Sequence, residues 1–265
     1  MTTAEKLSRL VAILDQHAEL AIAVSGGVDS MVLAHVTHGH ARTAMTAVHA
    51  VSPAVPRLAT LRVQAHAERH GWTLHVVDAG ELADPAYRSN PVNRCFYCKS
   101  RLYERIAAMT GLTIASGTNV DDLGDYRPGL EAAQRNQVIH PFVDAGLSKS
   151  DVYAMAKMFG LDDLAALPAQ PCLASRIETG IGVDAAALHF IENAEIVLHD
   201  LLPAGGAIRC RITAEGVYVE CETLPLGAQR EQVEQRIGAL CADASRPFAG
   251  VRSYRRGAAF LRASE

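Results

Sequence analysis

The sequence predicts an α/β fold: a doubly wound parallel sheet followed by a second, smaller C-terminal α+β domain. Three observations carry that expectation. Apolar runs of strand length alternate with segments of helical periodicity as far as Phe159. A glycine pair stands where the first strand meets the following helix. Beyond about residue 180 the element order changes.

Taken in order, residues 4–18 place Leu7, Leu10, Val11 and Leu14 at helical spacing. Leu20–Val24, LAIAV, is a continuous apolar run, the pattern of a strand buried on both faces. It leads into Ser25-Gly26-Gly27-Val28-Asp29-Ser30 and then a helical stretch, Met31–His40. Strands are predicted at Thr43–Val51, Trp72–Asp78 and Leu112–Ser116, with helices at 57–70 and 97–109 between them. Ser148 is placed to cap a helix running to Phe159. A loop bearing Pro and Cys occupies 167–183. A helix at Asp184–Leu202, strands at Ala207–Thr213 and Val217–Glu220, a helix at Ala228–Cys241 and a final strand then break the alternation. The boundary falls near 178–184, giving domains at 1–180 and 184–265. No internal repeat or low-complexity tract is present.

Composition narrows the class. Of 265 residues, 49% are hydrophobic and 20% charged, which excludes a disordered chain. No run approaches the roughly 18 apolar residues of a membrane span. The N-terminus, MTTAEKLSRL, carries charge early and lacks the form of a secretory signal. A net charge of −4 argues against non-specific nucleic-acid binding as the main task. A soluble, cytoplasmic protein is expected. Six cysteines are too few for a disulfide scaffold. Cys210, Cys221 and Cys241 sit in apolar, strand-like contexts and read as packing residues. Cys95, Cys98 and Cys172 sit in polar, loop-like contexts.

SGGVDS is the sharpest feature. Adjacent glycines permit positive φ and close approach of backbone N–H groups to a ligand. The helix start behind them adds unpaired donors and a positive dipole end. Ser25 and Ser30 add hydroxyls. The combination suits a pyrophosphate, with Mg²⁺ bridging Asp29 to it. Neither a Walker motif nor a dinucleotide fingerprint is present; the alternative is a turn that uses glycine only for tight packing. After its apolar strand, SGGVDS resembles the PP-loop of the N-type ATP pyrophosphatases. That resemblance implies ATP, held by its β- and γ-phosphates with the α-phosphate open to attack.

Cys95-Phe-Tyr-Cys98 has CxxC spacing, and Cys172 follows in Pro171-Cys172-Leu-Ala-Ser-Arg176. CxxC alone admits a zinc half-site, a redox dithiol or an iron–sulfur ligand pair. Structural zinc needs four protein ligands, and no second CxxC or CxxH supplies them. Three thiolates suit a [4Fe–4S] cluster with one open iron site. Arg94, Lys99 and Arg176 would stabilise thiolates. Unrelated thiols near a cleft are the plain alternative.

Residues 116–130, SGTNVDDLGDYRPGL, and 171–176, PCLASR, taken with SGGVDS, resemble the LarE family. These are ATP-dependent sulfur transferases of nickel-pincer nucleotide synthesis, and the resemblance covers nearly the whole chain. It implies adenylation of a carboxylate of pyridinium-3,5-dicarboxylate mononucleotide, then conversion to a thiocarboxylate. One branch of the family donates sulfur from its own cysteine, at the position of Cys172, leaving dehydroalanine. The presence of Cys95 and Cys98 departs from that branch and points to the branch in which three cysteines hold a [4Fe–4S] cluster. The resemblance also implies a homo-oligomer, a hexamer built through the small domain. The sulfide donor is not named by any motif.

Residues 244–264 hold five arginines, Arg246, Arg252, Arg255, Arg256 and Arg262, and no acid. Arg209 and Arg211 alternate on a predicted strand and so share a face. Guanidinium forks bind phosphate and carboxylate bidentately, so a small nucleotide carrying both groups would fit. By the resemblance, Arg209 and Arg211 match substrate-binding arginines, Arg252 less closely, and Glu195 and Glu220 match acids proposed to bind metal. Arg176 joins the substrate-binding candidates. A solvated basic surface, an oligomer contact or an RNA-binding face are the alternatives. His35, His38 and His40 end a helix, and His66 and His70 lie one turn apart without forming HExxH; neither set reads as a metal site.

The expected reaction begins with Mg-ATP on Ser25–Ser30. The carboxylate attacks the α-phosphate, and sulfur at Cys95, Cys98 and Cys172 then displaces AMP. Asp121, Asp122 and Arg127, after the fourth strand, shape the nucleotide cleft. Rival readings are a tRNA thiolase with the same cluster and a non-catalytic ATP-binding sensor.

Overall fold

The computed structural model describes residues 1–124, 128–203 and 206–255. Its elements begin with α1 (Thr3–Leu14), β1 (Glu19–Ala23), α2 (Val28–His40), β2 (Ala44–Val51), α3 (Arg57–His70) and β3 (Thr73–Asp78). They continue with α4 (Pro85–Arg88), α5 (Arg94–Thr110), β4 (Ile114–Ser116), α6 (Pro128–Arg135), α7 (Pro141–Asp144), α8 (Lys149–Met158) and α9 (Asp162–Ala165). The last are α10 (Ala185–Leu201), β5 (Ile208–Thr213), β6 (Gly216–Cys221), α11 (Gly227–Asp243) and β7 (Phe248–Ser253). Short 3-10 turns lie at Glu81–Ala83, Val120–Gly124 and Leu173–Arg176. Arg127, Arg256 and Arg262 lie outside the described residues.

Two compact units result, Met1–Glu81 with Cys95–Gln170, and Leu82–Arg94 with Pro171–Glu265. The first unit holds a parallel sheet of strand order β3-β2-β1-β4. On β1, Leu20 and Ile22 join a core built with Leu10, Met31, Phe142 and Met155, from α1, α2, α7 and α8. Ala21 and Ala23 face the other way, onto Tyr103, Ile106 and Ala133 from α5 and α6. The continuous apolar run is explained by those two covered faces. The sheet is doubly wound, and its order reverses between β1 and β4, the position where such sheets bind ligands.

Local signals set most element ends. Ser148 caps α8 in a capping box with Asp151, as expected from its sequence position. The first helix stops at Leu14, short of the expected residue 18; Asp15 is its C-cap, and the Asp15 carboxylate accepts hydrogen bonds from the Arg42 backbone N–H at 2.7 Å and its Nε at 3.0 Å. Cys95 and Cys98 do not lie in a loop: α5 begins at Arg94 and carries both in its first turns. No helix of the described residues is long and apolar enough to cross a membrane.

Several histidines of the first unit are packed into its interior. The His35 ring meets His70 edge-on at 4.9 Å and Phe159 at 5.0 Å. His66 pairs with Asp163 at 2.8 Å. Burial, helped by the neighbouring His70, lowers the pKa of His35 from 6.5 to about 4. Burial also lowers His49, His70 and His140. Each group therefore binds a proton less readily in the folded chain than in the unfolded one. Their contribution to stability is full above about pH 6.5 and is lost as pH falls toward 4, the value for His35. The melting temperature should decline through that window, and His35→Phe should flatten the decline. A flat profile in the parent protein would contradict the linkage.

The second unit holds a mixed sheet of order β5-β6-β7, antiparallel across the β5–β6 hairpin and parallel between β6 and β7. Cys210, Cys221 and Cys241 are buried there, and burial raises each thiol pKa, as their packing role requires. Nothing in the sequence signals that Leu82–Arg94 goes with this unit. The tie is Asn90, fully buried with φ of 54°. Its amide donates to the carbonyls of Glu178 at 2.8 Å and Ile181 at 2.9 Å, and its Oδ1 accepts from Arg94.

Candidate functional site

The loop between β1 and α2 meets the loop after β4 at the reversal point of the sheet. Gly26 adopts φ of +80°, and a Cβ there would lie 2.7 Å from the Ala59 carbonyl oxygen of α3. A Cβ on Gly117 would lie 2.6 Å from the Ser30 backbone nitrogen. Both glycines are thus required by close backbone approach. Gly27 is the N-cap of α2 and contributes no side-chain cap, which leaves the first N–H groups of that helix to face an anion. The Ser30 hydroxyl donates to the Gly27 carbonyl at 3.1 Å and accepts from the Ser25 N–H at 3.0 Å. The Ser25 hydroxyl accepts from the Gly27 N–H at 3.3 Å. Both serines shape the loop they were expected to serve.

Asp29 is held from two sides. The Lys149 ammonium, at the start of α8, pairs with one carboxylate oxygen, and the Asn119 amide donates to the other at 3.1 Å. Asp121 accepts from the Lys149 backbone N–H at 2.8 Å, and Asp122 accepts from the Asn119 N–H at 3.1 Å. The structure thereby brings Asp29, Asp121 and Asp122 into one network, joined by two residues the sequence reading did not single out, Lys149 and Asn119. Lys149 lies 120 positions from Asp29, so no local pattern could disclose it. Arg62 was missed for the same reason; its Nη1 donates to the Gly26 carbonyl at 2.7 Å. The arrangement offers backbone donors, an ammonium and a guanidinium around a loop that bears one acid. A polyanion accompanied by a divalent cation matches that charge pattern.

One face of the second unit's sheet carries Arg209, Arg211 and Arg252. Register aligns Arg209, Glu220 and Arg252 across the three strands, with Arg211 opposite Tyr218 in the next row. Glu220, 2% exposed, accepts from Arg211 Nε at 2.9 Å through one oxygen and from Arg252 Nη2 at 2.8 Å through the other. Glu195 takes Arg176 in a fork, at 2.9 and 3.0 Å. A metal ion at either acid would have to displace guanidinium groups, so the donors present do not fit the metal role proposed for Glu195 and Glu220. These acids position arginines instead. Burial lowers the pKa of Arg209, and Arg176 and Arg211 push the same way. Crowded guanidinium groups of this kind gain from a bound anion.

Arg176 also donates to the carbonyls of Pro171 at 2.7 Å and Cys172 at 3.2 Å, and Arg211 to that of Ser175 at 3.2 Å. Cys172 and the arginine face therefore share one unit and one hydrogen-bonded network. Cys172 is the exposed thiol of the six. Cys95 and Cys98 belong to the first unit, half-buried, three residues apart on one side of α5. Among the described residues, no three His, Cys, Asp or Glu side chains are arranged to hold a metal ion.

No family model matches the chain. Among curated proteins it is 34% identical over 234 residues to the uncharacterised protein slr1717 of Synechocystis, covering 87% of this chain and 84% of that protein. It is 26% identical over 211 residues to the uncharacterised protein MJ0830 of Methanocaldococcus jannaschii, covering 78% and 79%. A pyridinium-3,5-bisthiocarboxylic acid mononucleotide synthase of Lactiplantibacillus plantarum is 32% identical over 165 residues, 60% of each chain. On the extent of the first match, the chain belongs to the same family as the Synechocystis protein slr1717.

Proposed function

We propose that the chain is an ATP-dependent sulfur transferase of nickel-pincer nucleotide synthesis. It would adenylate a carboxylate of pyridinium-3,5-dicarboxylate mononucleotide and convert it to a thiocarboxylate. The observation that carries the proposal is the glycine-bearing loop at the β1/β4 reversal point, with Asp29, Asn119 and Lys149 locked around it. Similarity to a synthase whose named product bears two thiocarboxylates supports the substrate class. A carboxylate does not exchange oxygen for sulfur until the oxygen is made a leaving group, and adenylation does this.

In the proposed reaction the backbone N–H groups of Gly27 and the first turn of α2, with Lys149, hold the β- and γ-phosphates. Asp29 would hold Mg²⁺ once Lys149, its ion-pair partner, turns to the phosphates, and the ion would supply charge neutralisation there. A carboxylate oxygen attacks the α-phosphorus, the bond to the bridging oxygen breaks, and pyrophosphate leaves into donors already oriented for its charge. Arg209 and Arg252, the more open of the four, would hold the substrate's phosphate and second carboxylate, with the buried Arg211 and Arg176 adding positive charge behind them. Attack of a sulfur nucleophile on the acyl carbon then releases AMP. Cys95, Cys98 and Cys172 are soft donors of the kind that would hold a [4Fe–4S] cluster, and such a cluster would supply the sulfide.

The exposure of Cys172 favours one second reading, in which this thiol is itself the donor. Anaerobically purified protein distinguishes them. The cluster reading predicts a brown protein with about four irons per chain, and loss of the colour in Cys172→Ala. Colourless protein whose Cys172 loses sulfur after one turnover would overturn the cluster in favour of donation. On either reading, Mg-ATP and the pyridinium nucleotide yield AMP and pyrophosphate. ADP and phosphate would contradict both.

A further inference from the structure

Arg62 has no place in the reaction drawn above, yet its geometry bears on the phosphate loop. It lies on α3 three residues after Ala59, so both present to the same side of that helix. Ala59 fills the space beside the Gly26 Cα, where a Cβ would meet its carbonyl oxygen at 2.7 Å and its own Cβ at 3.0 Å. Arg62 Nη1 takes the Gly26 carbonyl at 2.7 Å. Helix α3 thus grips Gly26 at two points.

The consequence lies in the next peptide bond. Among the described residues every peptide bond is trans, so the Gly27 N–H points opposite to the Gly26 carbonyl. With that carbonyl turned toward Arg62, the N–H is turned toward the Ser25 hydroxyl, 3.3 Å away, on the side of the nest. Reversing this peptide would aim a carbonyl oxygen at the phosphates and remove a donor. Two adjacent glycines offer little steric resistance to such a reversal. Burial around Arg62 lowers its pKa, with Asp163 acting in the opposite sense, so this charge gains from a close acceptor.

We infer that Arg62 is a positioning residue which locks the Gly26–Gly27 peptide in its anion-accepting orientation and so sets affinity for the pyrophosphate part of ATP. The inference rests on the nucleotide role proposed above. Calorimetric binding of ATP, inorganic pyrophosphate and AMP to the full chain tests it, beside Arg62→Met and Arg62→Lys, with melting temperature followed in parallel. Arg62→Met should weaken ATP and pyrophosphate by about tenfold or more, roughly 1.4 kcal/mol per decade. AMP affinity and melting temperature should stay at parent values, and Arg62→Lys should recover part of the loss. Unchanged pyrophosphate affinity in Arg62→Met, or an equal loss for AMP, overturns the locking role. Failure of the parent protein to bind ATP or pyrophosphate would instead bring down the nucleotide reading itself.

Discussion

Gly117→Ala is expected to lower ATP affinity by about tenfold to a hundredfold, whereas Gly124→Ala, in the same loop, should leave it unchanged. The added methyl would sit 2.6 Å from the Ser30 nitrogen, 2.7 Å from the Asp29 carbonyl carbon and 2.9 Å from the Ser30 Cα. All three are backbone atoms, so no side chain can rotate away. Either the loop after β4 withdraws, taking Asn119 from Asp29, or the first turn of α2 moves, taking its N–H groups from the phosphates. Overpacking of this kind costs about 1–3 kcal/mol, with about 1.4 kcal/mol per decade of affinity. A Cβ on Gly124 meets nothing within 4 Å. Calorimetric titration with Mg-ATP reads the difference. If Gly117→Ala binds as tightly as Gly124→Ala, the two loops do not form one site.

Glu220→Ala should be the most destabilising single change in the second unit. This carboxylate, 2% exposed, satisfies two arginines at once, and Arg211 is itself 6% exposed. Removing one member of a buried pair strands the other charge, at a cost of about 3–5 kcal/mol. Among the described residues Arg211 keeps the neutral Ser175 carbonyl at 3.2 Å, while Arg252 is more open and retains Tyr218, with its guanidinium 3.9 Å from the ring centroid. The double variant Glu220→Ala/Arg211→Met should therefore recover much of the loss, because both polar groups are then gone. Denaturant midpoints of the parent and the two variants decide it. A single variant as stable as the parent would mean that Arg211 reaches solvent. Glu195→Ala should follow the same logic through Arg176.

How far the sequence disclosed this arrangement depends on the range of the information needed. The sheet was legible because strand and helix periods are local: LAIAV is apolar throughout since Leu20 and Ala21 each have a core to enter. The helix at 57–70 and the β5–β6 hairpin are read from the same kind of signal. SGGVDS was legible because its glycines and hydroxyls act within six residues. Lys149 and Arg62 were not, since they meet Asp29 and Gly26 only after the chain has folded. Arg209 and Arg211 were placed on one strand face by alternation, but their neighbours Glu220 and Arg252 come from other strands and needed the register. The two cysteines of CxxC were read as loop residues because the apolar period of α5 is clear only further along the helix. Asn90 illustrates the remaining gap: a buried amide that joins residues 87 to 91 positions away leaves no trace in composition or period.

In the proposed reaction this chain spends ATP at the α-phosphate to put sulfur on a carboxylate. The most direct test incubates the anaerobic protein with Mg-ATP, a sulfide source and pyridinium-3,5-dicarboxylate mononucleotide, and weighs the nucleotide by mass spectrometry. The predicted result is replacement of a carboxylate oxygen by sulfur, with one AMP and one pyrophosphate formed for each sulfur gained. A nucleotide of unchanged mass, with ATP either intact or split to ADP and phosphate, would contradict it.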